Sequence, residues 1–450
     1  MAKVILISAN PATFPFPVYP IGIGHLAEAC LAAGHEAVQI DDQLDEFDNI
    51  RDKIRQFDAD LIGLSIRNID NNDSGNYFSY VNYYCDLIKK LRSITEKPIV
   101  LGGSGFSLYS EALMRLTGAD YGIVGEGEQE LVALLNALEK KQVQRRGQLF
   151  TAEKRLRSGK FHAPLRCQRM VEYYLQFGGI INVQSKRGCP YECSYCTYPL
   201  LEGHYFRYRD LNDVIDECKE LVSHFGADYI YFADSVFNDP KGFYLEIAEQ
   251  FVRQEIKCKW TGFFRPNSGW RKEDVRLLKS SGLDCVEWGT DCSTDSTLLG
   301  MQKGFDWSAV VETNNVFANE GIANGHYIIF GGPGETQYTV IEGLKNLGQL
   351  KHSVIFAVNG IRIIPETHIY KTALAEGVVS AEWDGLKEKF YLSPELNWEN
   401  VDSLIRKSFD GDICRIYPPT GDEKLIAALH RRGLKGPLWD LMLKARRRKR

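Results

Sequence analysis

The sequence predicts an α/β protein made of two parallel-sheet units in tandem. Over the first third, short β-rich runs alternate with amphipathic segments, and the same alternation resumes at residue 180 after a charged stretch. A 450-residue chain that is 44% hydrophobic is long enough for two or three domains, each with its own core.

In the first unit, strands fall at 3–8 (KVILIS), 37–40 (AVQI), 61–66 (LIGLSI), 98–103 (PIVLGG) and 121–125 (YGIVG), with helices near 21–33, 47–57, 78–93, 110–117 and 128–139. This makes a five-stranded, doubly wound, Rossmann-like domain over 1–142. Its strand ends carry unusual loops: ANPATFPFPVYPIGIG after the first, RNIDNNDSGN after the third, GGSGFS after the fourth and GEGE after the fifth. Ligands of open α/β sheets bind outside the carboxyl ends of the strands, so these loops line one crevice. Residues 143–179 lose apolar periodicity and gain charge, as a connector does. From 180 onward IINVQSK, DYIYFA (228–233), KWTGFF (259–264), DCVEWG (284–289), HYIIF (326–330) and VIFAVNGIRII (354–364) read as strands of six βα units. They predict a second parallel structure over 180–370, either another open sheet or a partial barrel. A small mixed region follows over 371–450, with no repeat at a period of about 20–50 residues anywhere in the chain.

The 54 basic and 59 acidic residues leave no surplus positive charge to attract nucleic acid or an anionic membrane. The one basic run, KARRRKR at 444–450, reads as a solvated tail. The start, MAKVILISAN, lacks the features of a secretory signal, and no apolar run is long enough to span a membrane. The chain is therefore expected in the cytoplasm, where its eleven cysteines stay reduced. Eight of them (Cys30, Cys85, Cys167, Cys218, Cys258, Cys285, Cys292 and Cys414) are scattered and suit small buried positions.

Cys189, Cys193 and Cys196 are different: they crowd into KRGCPYECSYCTYPLLEG, directly after the first strand of the second unit. Three thiolates on a short loop can hold one face of a metal or cluster. A structural zinc site needs a fourth ligand; His204 is near, but neither a second CxxC pair nor an HxxxH follows. On a four-iron cluster, three cysteines leave one iron open for chemistry, as a catalytic zinc keeps an open position.

CPYECSYC, a CxxxCxxC pattern with Tyr195 before its last cysteine, resembles the signature of the radical S-adenosylmethionine superfamily. The resemblance implies that Cys189, Cys193 and Cys196 hold a four-iron, four-sulfur cluster whose open iron binds S-adenosylmethionine, with Tyr195 beside the adenine. It also implies a partial (β/α)6 barrel. YFADSVFN (231–238) resembles the second-strand motif and puts Asp234 toward S-adenosylmethionine. VEWGTDCSTDSTLLGMQKG (286–304) resembles the fourth-strand pattern G-x-E-S, with Asp291 for Glu and Cys292 for Ser. HYIIFGGPGET (326–336) resembles the fifth-strand glycine motif, in which Gly331, Gly332, Pro333 and Gly334 let the backbone approach adenosine.

A doubly wound domain ahead of such a barrel resembles the cobalamin-binding members, through YPIGIGHLAEACLAAGHEAVQID (19–41), LIGLSIRNID (61–70), PIVLGGSGFS (98–107) and ADYGIVGEGEQELVALL (119–135). On that resemblance Gly102, Gly103 and Gly105 suit close approach to a large ligand, Ser65 and Ser104 can bond its nucleotide tail, and Glu126 joins the cofactor-binding set. The D-x-H-x-x-G motif that supplies a histidine to cobalt is absent; His25 and His35 stand in the wrong context, so cobalamin would bind without that ligand. Arg265 and Arg362, near strand ends, can hold carboxylates, and Trp288 joins Trp260, Phe263 and Phe264 in an aromatic wall that shields a radical or packs the core.

The family's chemistry implies a 5'-deoxyadenosyl radical and methyl transfer by methylcobalamin to an unactivated carbon or phosphorus of a small natural-product or lipid-type precursor. No catalytic residue is assigned beyond the cofactor ligands, and the implied partners are a small-molecule substrate and an electron donor such as flavodoxin or ferredoxin. One alternative keeps both cofactors but ends in cyclisation or rearrangement. Another makes the cysteines a closed structural site in a binding protein.

Overall fold

Six apolar strands build the first sheet of this computed structural model, which describes residues 1–13, 15–142, 147–152, 155–419 and 423–448. They are β1 (Lys3–Ser8), β2 (Glu36–Asp41), β3 (Leu61–Ser65), β4 (Ile99–Gly102), β5 (Tyr121–Val124) and β6 (Gln148–Thr151). All pair in parallel, in the order β2-β1-β3-β4-β5-β6. Val4, Ile5, Ile7, Leu61 and Ile62 are fully buried, as strands covered by helices on both faces require. The strand order reverses at β1, so the loops after β1 and β3 part and open a crevice there.

The expected connector needs correction. β6 lies within it and adds a sixth strand to the sheet, paired with β5 from Tyr121↔Gln148 to Val124↔Thr151, and the helix Gln168–Phe177 follows. Residues 143–146 and 153–154 of that segment, 420–422 of the YPPTGDEKL stretch and the last two residues of the basic tail lie outside the described residues. A further short helix, Ser104–Leu108, begins directly after β4.

The second sheet starts with β7 (Ile181–Val183). A small antiparallel pair, β8 (Lys186–Arg187) and β9 (Arg207–Tyr208), flanks the cysteine loop. The sheet continues through β10 (Tyr229–Phe232), β11 (Lys259–Phe264), β12 (Cys285–Asp291), β13 (Ala323–Phe330) and β14 (Ser353–Asn359). The six expected strands thus stand side by side in chain order. A seventh comes from the C-terminal region: after β15 (Ile361–Arg362) and β16 (Phe390–Tyr391), which pair antiparallel with each other, β17 (Arg415–Ile416) pairs with β14. The order β17-β14-β13-β12-β11-β10-β7 leaves β7 and β17 as edges, so this is an open partial barrel.

The two units share a core. One apolar cluster runs from Leu6, Ile23 and Leu131 of the first unit through Tyr19 and Tyr174 to Val183, Phe232 and Trp260 of the second. Buried ion pairs join them as well: Arg362 with Asp70 at 2.9 Å, Arg187 with Glu128 at 2.7 Å, and Arg207 with Glu126. Among the described residues, no helix is long and apolar enough to cross a membrane.

Candidate active site

The cysteine loop begins at the carboxyl end of the first barrel strand. Gly188 has φ +87°, and a Cβ there would lie 2.1 Å from the Tyr205 carbonyl oxygen, so only glycine makes this turn. The Gly188 N–H donates to the Glu202 carboxylate (2.9 Å), and its carbonyl accepts from the Ser235 hydroxyl (2.7 Å). The Cys189 N–H donates to the Gly203 carbonyl, the Cys196 N–H to the Cys193 carbonyl and the Ser194 N–H to the Met301 carbonyl, so the loop's backbone is fixed before anything binds. All three cysteines are free thiols. Burial, reinforced by neighbouring Cys193, pushes Cys189 up and Cys196 up to about 12, so binding a cluster must displace their protons. Among the described residues, no three His, Cys, Asp or Glu side chains converge on a single-ion position. Three thiols sharing one short loop suit a cluster that gives each its own iron.

Tyr195 points its hydroxyl at Asp291, donating to the carboxylate at 2.5 Å, and Lys303 ion-pairs with the same oxygen. Burial and the Asp291 charge raise the Tyr195 phenol. The Lys303 ammonium, buried yet beside Asp291, is held above its ordinary value by that carboxylate. Asp291 has φ +62°, unusual for a residue other than glycine, and sits where the β12–β13 register shifts after Trp288. That bulge turns its carboxylate toward the cysteine loop. Arg265 lies here too, its guanidinium 4.1 Å from the Tyr191 ring centroid and 4.8 Å from that of Phe305, within electrostatic reach of Cys189 and Cys193.

Three of the expected residues are engaged within the chain itself. Asp234 is fully buried; its carboxylate accepts from the Ser185 and Lys186 N–H groups and ion-pairs with Lys186 at 2.9 Å. Trp288 is a core residue, fully buried with its indole N–H donated to Asn324. Arg362 is buried and committed within the chain, its guanidinium donating to Asp70, the Ile363 carbonyl and the Gly385 carbonyl.

Gly331 and Gly332 follow β13, and both N–H groups donate to the Glu335 carboxylate. A Cβ on Gly331 would meet Leu392 at 2.6 Å and one on Gly332 would meet Met301 at 3.0 Å, so these glycines are small because their own chain packs on them. Gly334, after Pro333, has open space around it. Burial raises Glu335 to about 7. The folded state therefore holds a proton that the unfolded state releases above about 4.3, so this group's stabilisation is lost as pH rises from there to about 7. Glu335→Gln is expected to flatten the fall in thermal midpoint across that window relative to the parent chain.

The crevice of the first sheet opens into the barrel as one cavity of about 990 Å³. Ser65, Gly102, Gly103, Ser104, Gly105 and Glu126 all line it. The role of two glycines differs from expectation: Cβ atoms on Gly103 and Gly105 would lie 2.5 Å and 2.8 Å from the Ile66 and Arg67 carbonyls, so it is the β3 loop that approaches them. The Ser104 hydroxyl donates to the Arg67 carbonyl at 3.1 Å. Glu126 is held by Arg207 and by Leu156 N–H (3.1 Å), across the two units. His25 also lines the cavity; burial and nearby arginines keep it neutral.

Sequence reasoning missed two lining residues. Arg67, after β3, has no carboxylate partner among the described residues and places a positive charge in the crevice; its place in IRNID was the available signal. Glu287 lies deeper, inside the barrel, and only its place between Val286 and Trp288 in a buried strand marks it.

Known proteins match this arrangement in both halves. The B12 binding domain matches residues 7–135, and the radical SAM superfamily matches residues 183–345. The tryptophan 2-C-methyltransferase of Streptomyces laurentii is 25% identical over 448 residues, covering 82% of this chain and 74% of that protein. Of solved structures, the radical S-adenosylmethionine methyltransferase TsrM of Kitasatospora setae, with tryptophan and a SAM analogue bound, superimposes with a TM-score of 0.87 at 21% identity, covering 100% of this chain and 99% of that one. The cobalamin-dependent S-adenosylmethionine radical enzyme OxsB, with aqua-cobalamin and S-adenosylmethionine bound, gives 0.74 at 16% identity, over 100% of this chain and 71% of that one. At these identities the superpositions establish the fold.

Proposed function

The chain belongs to the cobalamin-binding radical S-adenosylmethionine enzymes, and on that premise we propose that it is a methyltransferase acting on an unactivated carbon of a small natural-product or lipid-type molecule. The observation that carries this reading is the continuous cavity, which connects the crevice of the first sheet with the interior of the barrel. A substrate in it would meet ligands held by both units without crossing water.

When bound, the cluster, S-adenosylmethionine and cobalamin supply the one-electron and methyl-transfer chemistry. The chain's own residues bind, orient and enclose. Cys189, Cys193 and Cys196 are the ligands for the cluster, on a loop braced by Glu202, Ser235 and Met301. Tyr195, steadied by Asp291 and Lys303, forms a wall for the adenine. Glu335 sets the backbone of Gly331 and Gly332. Ser65, Gly102 and Ser104, with Arg67, would hold cobalamin in the crevice through hydrogen bonds and charge, with no histidine in the D-x-H-x-x-G context to reach cobalt. In this reading residues 1–142 take cobalamin, 180–370 take the cluster and S-adenosylmethionine, and 371–450 close the barrel. The enzyme would work in the cytoplasm with a flavodoxin or ferredoxin as electron donor.

The test is anaerobic reconstitution with iron, sulfide and hydroxocobalamin, followed by metal quantification and an absorption spectrum. Iron and cobalt bound together on the same chain are the expected result. Iron bound without cobalt would remove the methyltransferase reading.

A further inference from the structure

The cavity ends on a carboxylic acid surrounded by aromatic rings. Glu287, on β12, is 5% exposed and lines the cavity. It accepts from the Tyr231 hydroxyl on β10 at 3.0 Å and from the Trp439 indole N–H at 3.4 Å, and the Tyr327 hydroxyl on β13 is a third donor. Phe263 packs edge-on to Tyr231 (5.9 Å between centroids) and lies 5.9 Å from Tyr327; Tyr327 stacks on Phe356 at 5.1 Å, and Phe356 meets Trp439 edge-on at 6.3 Å. Trp439 comes from the turn before the last helix, Asp440–Arg448, and fits only because β13 carries Gly325, whose Cβ would lie 2.9 Å from the indole.

What this acid lacks is a countercharge. Among the described residues, no Lys, Arg or His pairs with Glu287, whereas Asp70, Asp234, Glu126 and Asp291 each hold a cation. A buried carboxylate is ordinarily paired, and three neutral donors occupy part of its acceptor capacity without neutralising it. Aromatic faces attract cations, and rings set around an organic ammonium recognise it.

We propose that Glu287 with Tyr231, Phe263, Tyr327, Phe356 and Trp439 forms a cage for an ammonium group of the substrate, so that the methyl acceptor is a cationic amine with an apolar body. This rests on the methyltransferase reading for its place in the reaction, though not for the binding itself. The charged end sits at the closed end of the barrel, and the apolar body extends up the lumen toward the cysteine loop and the crevice. Anchoring one end in this way fixes which carbon is presented, as binding far from the reacting centre does.

Three probes of similar shape decide it: phenethylamine, 2-phenylethanol and phenylacetate, titrated calorimetrically into reconstituted enzyme. The amine is expected to bind about tenfold more tightly than the alcohol, and the acid to give no binding. Glu287→Gln is expected to lose that preference by weakening the amine about tenfold and leaving the alcohol unchanged, with iron and cobalt contents as in the parent. Phe356→Leu, which removes one ring and no hydrogen bond, should weaken the amine more than the alcohol if the glutamine variant does not fold. Equal binding of amine and alcohol, a preference for the acid, no binding of any probe at millimolar concentration, or an unchanged amine affinity in both variants would overturn the proposal. Amine binding with no cobalt uptake would leave the cage in place and remove only the methyltransferase reading.

Discussion

Replacing Lys186 with Met is expected to lower folding stability by roughly 3–5 kcal/mol, the cost of leaving a buried charge without its partner. Lys186 and Asp234 are both fully buried, with Nζ 2.9 Å from the carboxylate, and Asp239 stands 3.6 Å from the same nitrogen. The ammonium also donates to the Phe237 carbonyl at 2.8 Å and lies 4.8 Å from the Phe237 ring centroid. Methionine fills a similar volume but leaves two carboxylates facing each other out of water, and their repulsion adds to their desolvation. The pair joins the residue three before Cys189 to the residue two beyond β10, so the variant should also bind less iron. Adding Asp234→Asn should recover part of the loss, because the amide still accepts from the Ser185 and Lys186 N–H groups while one unpaired charge disappears. The measurement is the denaturant midpoint of the single and double variants at unchanged slope. Strictly additive losses would mean that the two side chains are not coupled.

The parts of this molecule legible from sequence are those set by short-range pattern. CxxxCxxC after a strand marks the cysteine loop, and the β1, β3 and β4 runs are apolar enough to declare fully buried strands. What failed was long-range. Arg362 near a strand end looks free for a substrate until its partner, Asp70, 292 residues away, is seen beside it. Asp234 reads as a cofactor contact because sequence does not show that Lys186, 48 residues earlier, turns back onto it. β6 escaped because its pattern, QLFT, is half exposed and lies in a charged stretch, so only pairing with β5 makes it a strand. Glu287 was hidden for the opposite reason: within VEWG it reads as one polar residue of an alternating strand, and only barrel closure turns it inward. The glycines of GGSGFS line the crevice, yet part of their reason is packing against the β3 loop rather than room for a ligand.

Changing Cys189, Cys193 or Cys196 singly to Ala is expected to abolish iron–sulfur loading and, with it, methyl transfer, while leaving cobalamin uptake intact. The loop is held by backbone bonds that do not use the sulfur atoms: Cys189 N–H to Gly203, Cys196 N–H to Cys193 and Ser194 N–H to Met301. Removing one thiol therefore takes away a ligand without unfolding its support. A cluster held by two thiolates has lost its third anchor, and the nearby carboxylates are already engaged, Glu202 by the Gly188 N–H and Asp291 by Tyr195 and Lys303. The cobalamin crevice is built from β1, β3, β4 and β5 of the other sheet, whose hydrogen bonds do not pass through the loop. Cobalt content should accordingly stay at the parent level as iron falls. Cys258→Ala is the matching control, because that thiol is buried beside β11, away from the loop, and bonds to the Lys259 carbonyl. Anaerobic reconstitution of the four variants, with iron, sulfide and cobalt counted on each, separates the outcomes. Iron retained by any of the three loop variants would mean that this cysteine is not a ligand, whereas iron and cobalt lost together would mean that the loop and the crevice fold as one unit.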